Sequence, residues 1–157
     1  HLIGHLQTNK VKYIAPFVAL IHSVDSLKLL QEIDKQAAKN QRVIDCLLQI
    51  FIAREETKFG LDYAEAEALL ASGEVERLRN VRVVGLMGMA TFTENREQVK
   101  QEFRRLKQFF EKLKASPLPA NVSMQELSMG MSGDYGTAVE EGSTLVRVGS
   151  AIFGERG

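Results

Sequence analysis

The sequence predicts a parallel α/β fold, and three observations carry that reading. Short apolar runs recur along the 157 residues with amphipathic segments between most of them, the alternation that builds parallel sheets. Two of these runs, 43–52 and 81–87, are almost continuously apolar, as strands buried on both faces are. The last two runs each end in small residues, Ser132-Gly133-Asp134 and Gly149-Ser150-Ala151, and such loops lie side by side at the carboxyl edge of a parallel sheet. Six strands are expected, near 2–5, 17–22, 43–52, 81–87, 125–130 and 144–148. A complete eight-stranded α/β barrel takes about 250 residues, so six strands fit such a barrel lacking about its first two βα units. They fit a complete doubly wound open sheet equally well, and periodicity does not separate the two. In either case residues 1–157 are expected to form a single domain.

The chain opens on His1-Leu2-Ile3-Gly4-His5, a strand-like run with no initiator methionine and no helix before it, the layout expected of a fragment. A polar stretch, 6–10, leads to residues 11–16, and 17–21 reads as the second strand. The following helix carries Leu27, Leu30, Ile33 and Ala37 at helical spacing, with Asp25 or Ser26 as its N-cap. After the strand at 43–52, the loop 53–60 holds Arg54, Glu55, Glu56 and Lys58. Asp62 and Glu65 have capping-box spacing and open a helix through Leu70, which Gly73 helps to end. Beyond the strand at 81–87 comes the clearest helix. Val99, Phe103, Leu106, Phe109, Phe110 and Leu113 share one face, Lys, Arg, Glu and Gln take the other, and Pro117 and Pro119 stop it. The closing unit is strand, loop, a short helix over 135–142 ending at a glycine, and strand.

Composition excludes several classes. Lysine plus arginine (20) balances aspartate plus glutamate (20), so neither nucleic acid nor a membrane is an expected partner. No apolar run approaches the ~20 residues that span a bilayer, and the start lacks a signal-peptide layout. The single cysteine, Cys46, lies inside an apolar run, reads as a small buried hydrophobe rather than a reactive thiol, and fits a reducing cytoplasm. No His/Cys/Asp/Glu grouping has metal-ligand spacing, so no metal is expected.

The paired Gly-Ser loops carry the first functional expectation. They offer unobstructed N–H groups and hydroxyls, the equipment for holding a phosphate. In eight-stranded α/β barrels the loops after the last two strands often do this, although Gly-Ser pairs also serve as ordinary tight turns.

Five segments bear a family likeness. His1-Leu2-Ile3-Gly4-His5-Leu6-Gln7-Thr8-Asn9-Lys10 resembles the H-F-I-G-x-L-Q-x-N-K motif of the pyridoxal phosphate homeostasis proteins, the YggS/PROSC family. Ser128-Met129-Gly130-Met131-Ser132-Gly133-Asp134 resembles its L-S-M-G-M-S-x-D, and residues 142–154 its G-S-T-x-V-R-I-G-x-A-I-F-G. Lys58-Phe59-Gly60 and Gly85-Leu86-Met87-Gly88-Met89 are weaker matches to its K-x-G and G-L-M-x-x. The five follow family order along the whole chain.

The resemblance implies a TIM-type (β/α)8 barrel of the alanine racemase kind, here strands 3 to 8, binding pyridoxal 5′-phosphate (PLP). In that family a lysine on an early strand forms a Schiff base with the cofactor. That strand lies upstream of the H-F-I-G motif, so the lysine is expected upstream of this sequence and none of the lysines here inherits its role. The resemblance further implies that Ser132, Gly149 and Ser150 cradle the phosphate. It places Arg147 either on the phosphate or on the pyridine nitrogen, with an ion pair to Glu140 or Glu141 as the structural alternative. An unprotonated ring is a weaker electron sink, which suits a carrier or a racemase-like site better than broad carbanion chemistry. Met131, with Met87, Met89 and Met129, is expected either beside the flat ring or in the core. His5 is either a site residue at the ligand face or a structural histidine, and Asn9 and Lys10 either neighbour the cofactor or cap the next helix, the second being favoured.

The function expected is cofactor holding and delivery in intracellular PLP homeostasis, without turnover. PLP-dependent apoenzymes are the partners, the location is cytoplasmic, and the full-length form is expected to be a monomer. The alternatives are an amino-acid racemase of the same barrel type, for which Tyr135 is the nearest candidate acid–base group, and a barrel binding another phosphate ester. The chain alone is expected to associate or unfold in part through unpaired sheet edges.

Overall fold

The computed structural model describes residues 1–55 and 59–155. Glu56 and Lys58, from the loop singled out in the sequence, lie outside the described residues. Five parallel strands form the frame: β1 (Leu20–Val24), β2 (Ile44–Ile50), β3 (Val81–Gly88), β4 (Val122–Met131) and β5 (Leu145–Arg147), in spatial order β1-β2-β3-β4-β5. A 3-10 turn (Thr8–Lys10) and α1 (Val11–Ile14) precede β1. Each later crossing carries one helix, namely α2 (Leu27–Lys39), α3 (Tyr63–Ala71), α4 (Arg96–Lys114) and α5 (Tyr135–Glu140), and α6 (Ser150–Phe153) follows β5.

That order decides between the two sheet types the sequence allowed. A doubly wound sheet reverses its strand order at a switch point and carries helices on both faces. Here the order runs on without reversal, and the helices gather on one face. Leu29, Leu30 and Ile33 of α2, Leu70 of α3, and Phe103 and Leu106 of α4 pack with Ile21, Ile44, Cys46, Leu48, Val83 and Leu127 of the strands. The alternate strand residues form a separate inner layer, Leu20, Leu47, Val84 and Met87, with Met89 and Leu145 against it and no helix residue in it. A sheet with helices outside and a thin side-chain layer inside is the wall of a barrel. The molecule is an all-parallel α/β half-barrel.

Local chemistry explains the elements. Ser26 caps α2 by accepting from Leu29 N–H at 3.1 Å. Asp62 and Glu65 complete the capping box, with Glu65 N–H on Asp62 Oδ1 at 2.7 Å and Asp62 N–H on Glu65 Oε1 at 3.0 Å. Past α5, Gly142 takes a φ of 102°, a left-handed value that glycine adopts without the Cβ penalty. Cys46 is fully buried and its thiol is pushed well above the usual range by burial and then by Asp45.

Four expectations change. The strand near 2–5 contracts to one parallel bridge, Leu2 to Ile21, made by Leu2 N–H on Leu20 O and His22 N–H on Leu2 O, both 2.9 Å. The second strand begins at Leu20 rather than Phe17, which stays exposed in a turn. Asn9 and Lys10 lie within the 3-10 turn, and Lys10 occupies the cap position of α1 without a side-chain bond. Glu102, placed on the polar face of α4, is buried, its carboxylate accepting from Thr91 N–H (2.7 Å), Thr91 Oγ1 (2.8 Å) and Gln98 Nε2 (3.1 Å). Since Thr91 Oγ1 also accepts from Arg54 N–H at 2.8 Å, this buried carboxylate pins the loops after β2 and β3 to each other.

Candidate functional site

The carboxyl ends of β3, β4 and β5 meet at a cleft of about 860 Å³. Met131, Ser132, Arg147, Gly149 and Ser150, five of the six residues singled out in the sequence, line it, and Phe92 and Phe153 form exposed apolar lips. The expected juxtaposition of the last two loops is observed and has a specific fastening. Ser132 Oγ accepts from Gly149 N–H at 3.2 Å and from Ala151 N–H at 3.1 Å. Asp134 stands at the N-cap position of α5, but its side chain makes no cap bond; it accepts from Met131 N–H at 2.7 Å and folds the β4 loop back on itself. A second cleft, about 460 Å³, lies on the other side of the same loop between α4 and α5.

Arg147 ends β5 and is buried, 6 % exposed. Its Nη1 donates to Ser128 Oγ at 2.6 Å and its Nη2 to the Gly88 carbonyl at 3.0 Å, while its buried Nε has no partner. Neither Glu140 nor Glu141 is paired with it: both Nη atoms donate elsewhere, and Glu141 is engaged by Arg104 at 2.9 Å. Burial lowers the guanidinium to about 10, with Asp134 opposing the fall; it remains a cation at neutral pH.

The sequence reading did not single out the residues behind Arg147. Ser128 Oγ lies 2.9 Å from His22 Nδ1, and His22 Nε2 lies 3.0 Å from His1 Nδ1. His22 is buried on β1 and Ser128 on β4. The available signal was a strand alternation: His22 stands two residues from inward-facing Leu20, and Ser128 is a polar residue inside an apolar strand. Burial first, then Arg147, push His22 down to about 4.

His5 is not part of this cleft. Its ring stacks on Phe59 (centroids 3.8 Å apart, planes 12°) and its Nδ1 lies 3.9 Å from Asp25 Oδ2, the arrangement of a structural histidine. Met87 and Met129 are fully buried in the core, whereas Met89 and Met131 border the cleft. Tyr135 lines the second cleft, and no tyrosine among the described residues lines the one that holds Arg147. Among the described residues no His/Cys/Asp/Glu group could hold a metal ion, and no helix is long and apolar enough to cross a membrane.

The donor set suits a flat, phosphate-bearing cofactor. Two small-residue loops offer hydroxyls and backbone amides, a cation sits beside them with one buried N–H unsatisfied, and the cleft has apolar lips. An unsatisfied buried donor costs about 1–3 kcal/mol, so an acceptor brought to it is stabilising.

Known proteins agree with this fold. Residues 1–157 match the family described as alanine racemase, N-terminal domain. A pyridoxal phosphate homeostasis protein of Aquifex aeolicus is 44% identical over 156 residues, covering 99% of this chain and 66% of the relative. One from Haemophilus influenzae is 36% identical, covering 99% and 64%. Among solved structures, PipY of Synechococcus elongatus with PLP bound superposes with a TM-score of 0.85 at 33% identity, covering 98% of this chain and 69% of that one. The chain thus spans about two thirds of the length of these relatives. It belongs to the alanine racemase N-terminal domain family, within the group of the pyridoxal phosphate homeostasis proteins.

Proposed function

We propose that this chain is the greater part of a PLP-binding protein that holds and delivers the cofactor within the cell. The observation that carries the reading is the fastened pair of loops after β4 and β5, with Arg147 beside them, in a relative of a protein solved with PLP bound. On this reading Ser132, Gly149 and Ser150 hold the phosphate through hydroxyls and amides, and Arg147 turns a fixed positive charge toward the cofactor. Met131 packs at its side. His5 is withdrawn from the set, because its ring and Nδ1 are engaged elsewhere. Bound PLP supplies an aldehyde that amines attack, and the residues here bind and orient it.

The described part of the chain offers no tyrosine in the cleft, and so no second acid–base group of the kind a racemase uses. The carrier reading rests on the relatives, which are pyridoxal phosphate homeostasis proteins. We place residues 1–157 as strands 3 to 8 of a TIM-type barrel, with the Leu2 bridge as the remnant of the first of them. The protein acts in the cytoplasm, is monomeric at full length, and hands PLP to apoenzymes rather than to nucleic acid or membrane.

Titrating the full-length protein with PLP tests this. A saturable change in visible absorbance, with no racemisation of alanine, is expected. A folded protein that leaves the PLP spectrum unchanged, or that binds another phosphate ester far more tightly, overturns it.

A further inference from the structure

The concave face of the half-barrel carries a polar chain that the sequence motifs do not reveal. His22 and Ser128 belong to β1 and β4, with β2 and β3 between them. In a flat sheet three strand spacings would separate them by about 14 Å. They touch at 2.9 Å because the sheet curls.

The proton positions follow from counting donors. Ser128 Oγ accepts from Arg147 Nη1, a group that can only donate. Ser128 is fully buried, and its hydroxyl proton has a single acceptor within reach, His22 Nδ1. His22 then carries its proton on Nε2 and donates it to His1 Nδ1. A proton on His22 Nδ1 instead would leave the serine hydroxyl a buried donor without an acceptor, which is costly. Each of the three bonds therefore fixes the direction of the next.

We propose that Ser128 and His22 are positioning residues for Arg147, a buried hydroxyl–imidazole pair that holds the guanidinium at the cleft wall with Nε left for an acceptor of the ligand. Nη1 and Nη2 are committed to Ser128 and Gly88, so the fork cannot rotate without breaking two bonds. Neutral His22 accepts the hydroxyl's hydrogen bond at Nδ1 and adds no second positive charge beside the guanidinium. Hydrogen bonds that lock a site residue's own geometry act on affinity without touching the ligand. The inference rests on the cleft being the PLP site.

Two measurements on the full-length protein test it. In the first, Ser128→Ala and Ser128→Thr are titrated with PLP. Ser128→Ala is expected to bind about tenfold or more weakly with its melting transition retained, and Ser128→Thr, which keeps the hydroxyl, to recover most of the affinity. Equal affinity in Ser128→Ala and the unsubstituted protein overturns the proposal, as does a threonine variant that folds yet binds no better than alanine. The second needs neither cofactor nor substitution: imidazole nitrogen NMR of His22 should report a neutral ring protonated on Nε2 at pH 7. An Nδ1-protonated or cationic ring overturns the relay even if the variants fail to fold. An unsubstituted protein blind to PLP sinks the cofactor reading instead, and the nitrogen spectrum still decides the relay.

Discussion

Ser132 fastens the loop after β4 to the loop after β5: its hydroxyl oxygen accepts from Gly149 N–H at 3.2 Å and from Ala151 N–H at 3.1 Å. The two loops are thereby held at one spacing by a side chain rather than by strand pairing. This matters because β5 is only three residues long and pairs with β4 at Ser128–Leu145 and Met131–Arg147.

Replacing Ser132 by alanine is therefore expected to loosen the phosphate loops more than the fold. Both amides lie in exposed positions where water can replace the hydroxyl, so the stability cost should stay near 0.5–1 kcal/mol. PLP affinity should fall about tenfold, read by absorbance titration of the full-length protein. Unchanged affinity would remove Ser132 from the phosphate site.

Gly85 sits where β3 and β4 approach too closely for a side chain. A Cβ there would lie 1.7 Å from the Glu126 carbonyl oxygen, and that atom is backbone, with no rotamer to relieve the clash. Gly85→Ala must push β4 away and break central ladder bonds. A loss of about 3 kcal/mol or more is expected, in the range of severe core disruptions, visible as a large drop in the urea midpoint. A midpoint within about 0.5 kcal/mol of the parent would show that the sheet can open at this point.

The core and the frame were legible in the sequence because burial writes periodicity. The apolar face of α4 from Val99 to Leu113 is the buried face observed, and the strands at 44–50 and 81–88 fall inside or beside their expected ranges. That the two small-residue loops lie side by side was legible because loops after neighbouring parallel strands share the carboxyl edge of the sheet. What stayed hidden depends on long-range pairing. Residues 2–5 have strand composition, yet only Leu2 finds a partner. For Arg147 the sequence offered a phosphate, a pyridine nitrogen or a neighbouring glutamate, and the protein partners it takes, Ser128 Oγ and the Gly88 carbonyl, were not among them, because they depend on how β3, β4 and β5 pair. The His22–Ser128 bond follows from sheet curvature, which no local pattern encodes.

Glu102 shows the same limit from the stability side. Its carboxylate accepts three bonds, two of them from Thr91, in a site 7 % exposed. Glu102→Gln keeps the shape but turns an amide donor on groups that need an acceptor. The expected cost is about 1–3 kcal/mol, with faster amide exchange at Thr91 and Arg54, because the loops after β2 and β3 lose their pin. Glu102, Thr91 and Arg54 do not themselves line the cleft that holds Ser132 and Gly149, so PLP affinity should change less than the stability does, by less than about threefold. A large affinity loss without a stability loss would instead place Glu102 in contact with the ligand.

His22 gives the fold a pH dependence of definite sign. In the folded chain its pKa is lowered from 6.5 to about 4, by burial first and then by Arg147. Between those values the unfolded chain binds a proton that the folded chain does not, so stability falls as pH falls through the window and is fully present above about 6.5. The whole depression corresponds to roughly 3 kcal/mol, an upper figure if the buried network relaxes. Urea unfolding at pH 7 and pH 5 should show the parent losing a large part of this, and His22→Asn, which cannot take a proton, losing distinctly less over the same interval. Carboxylates titrate in both proteins and cancel in the comparison. Equal losses in the two would mean that His22 titrates alike in the folded and unfolded chains, so that burial does not hold it neutral behind Arg147.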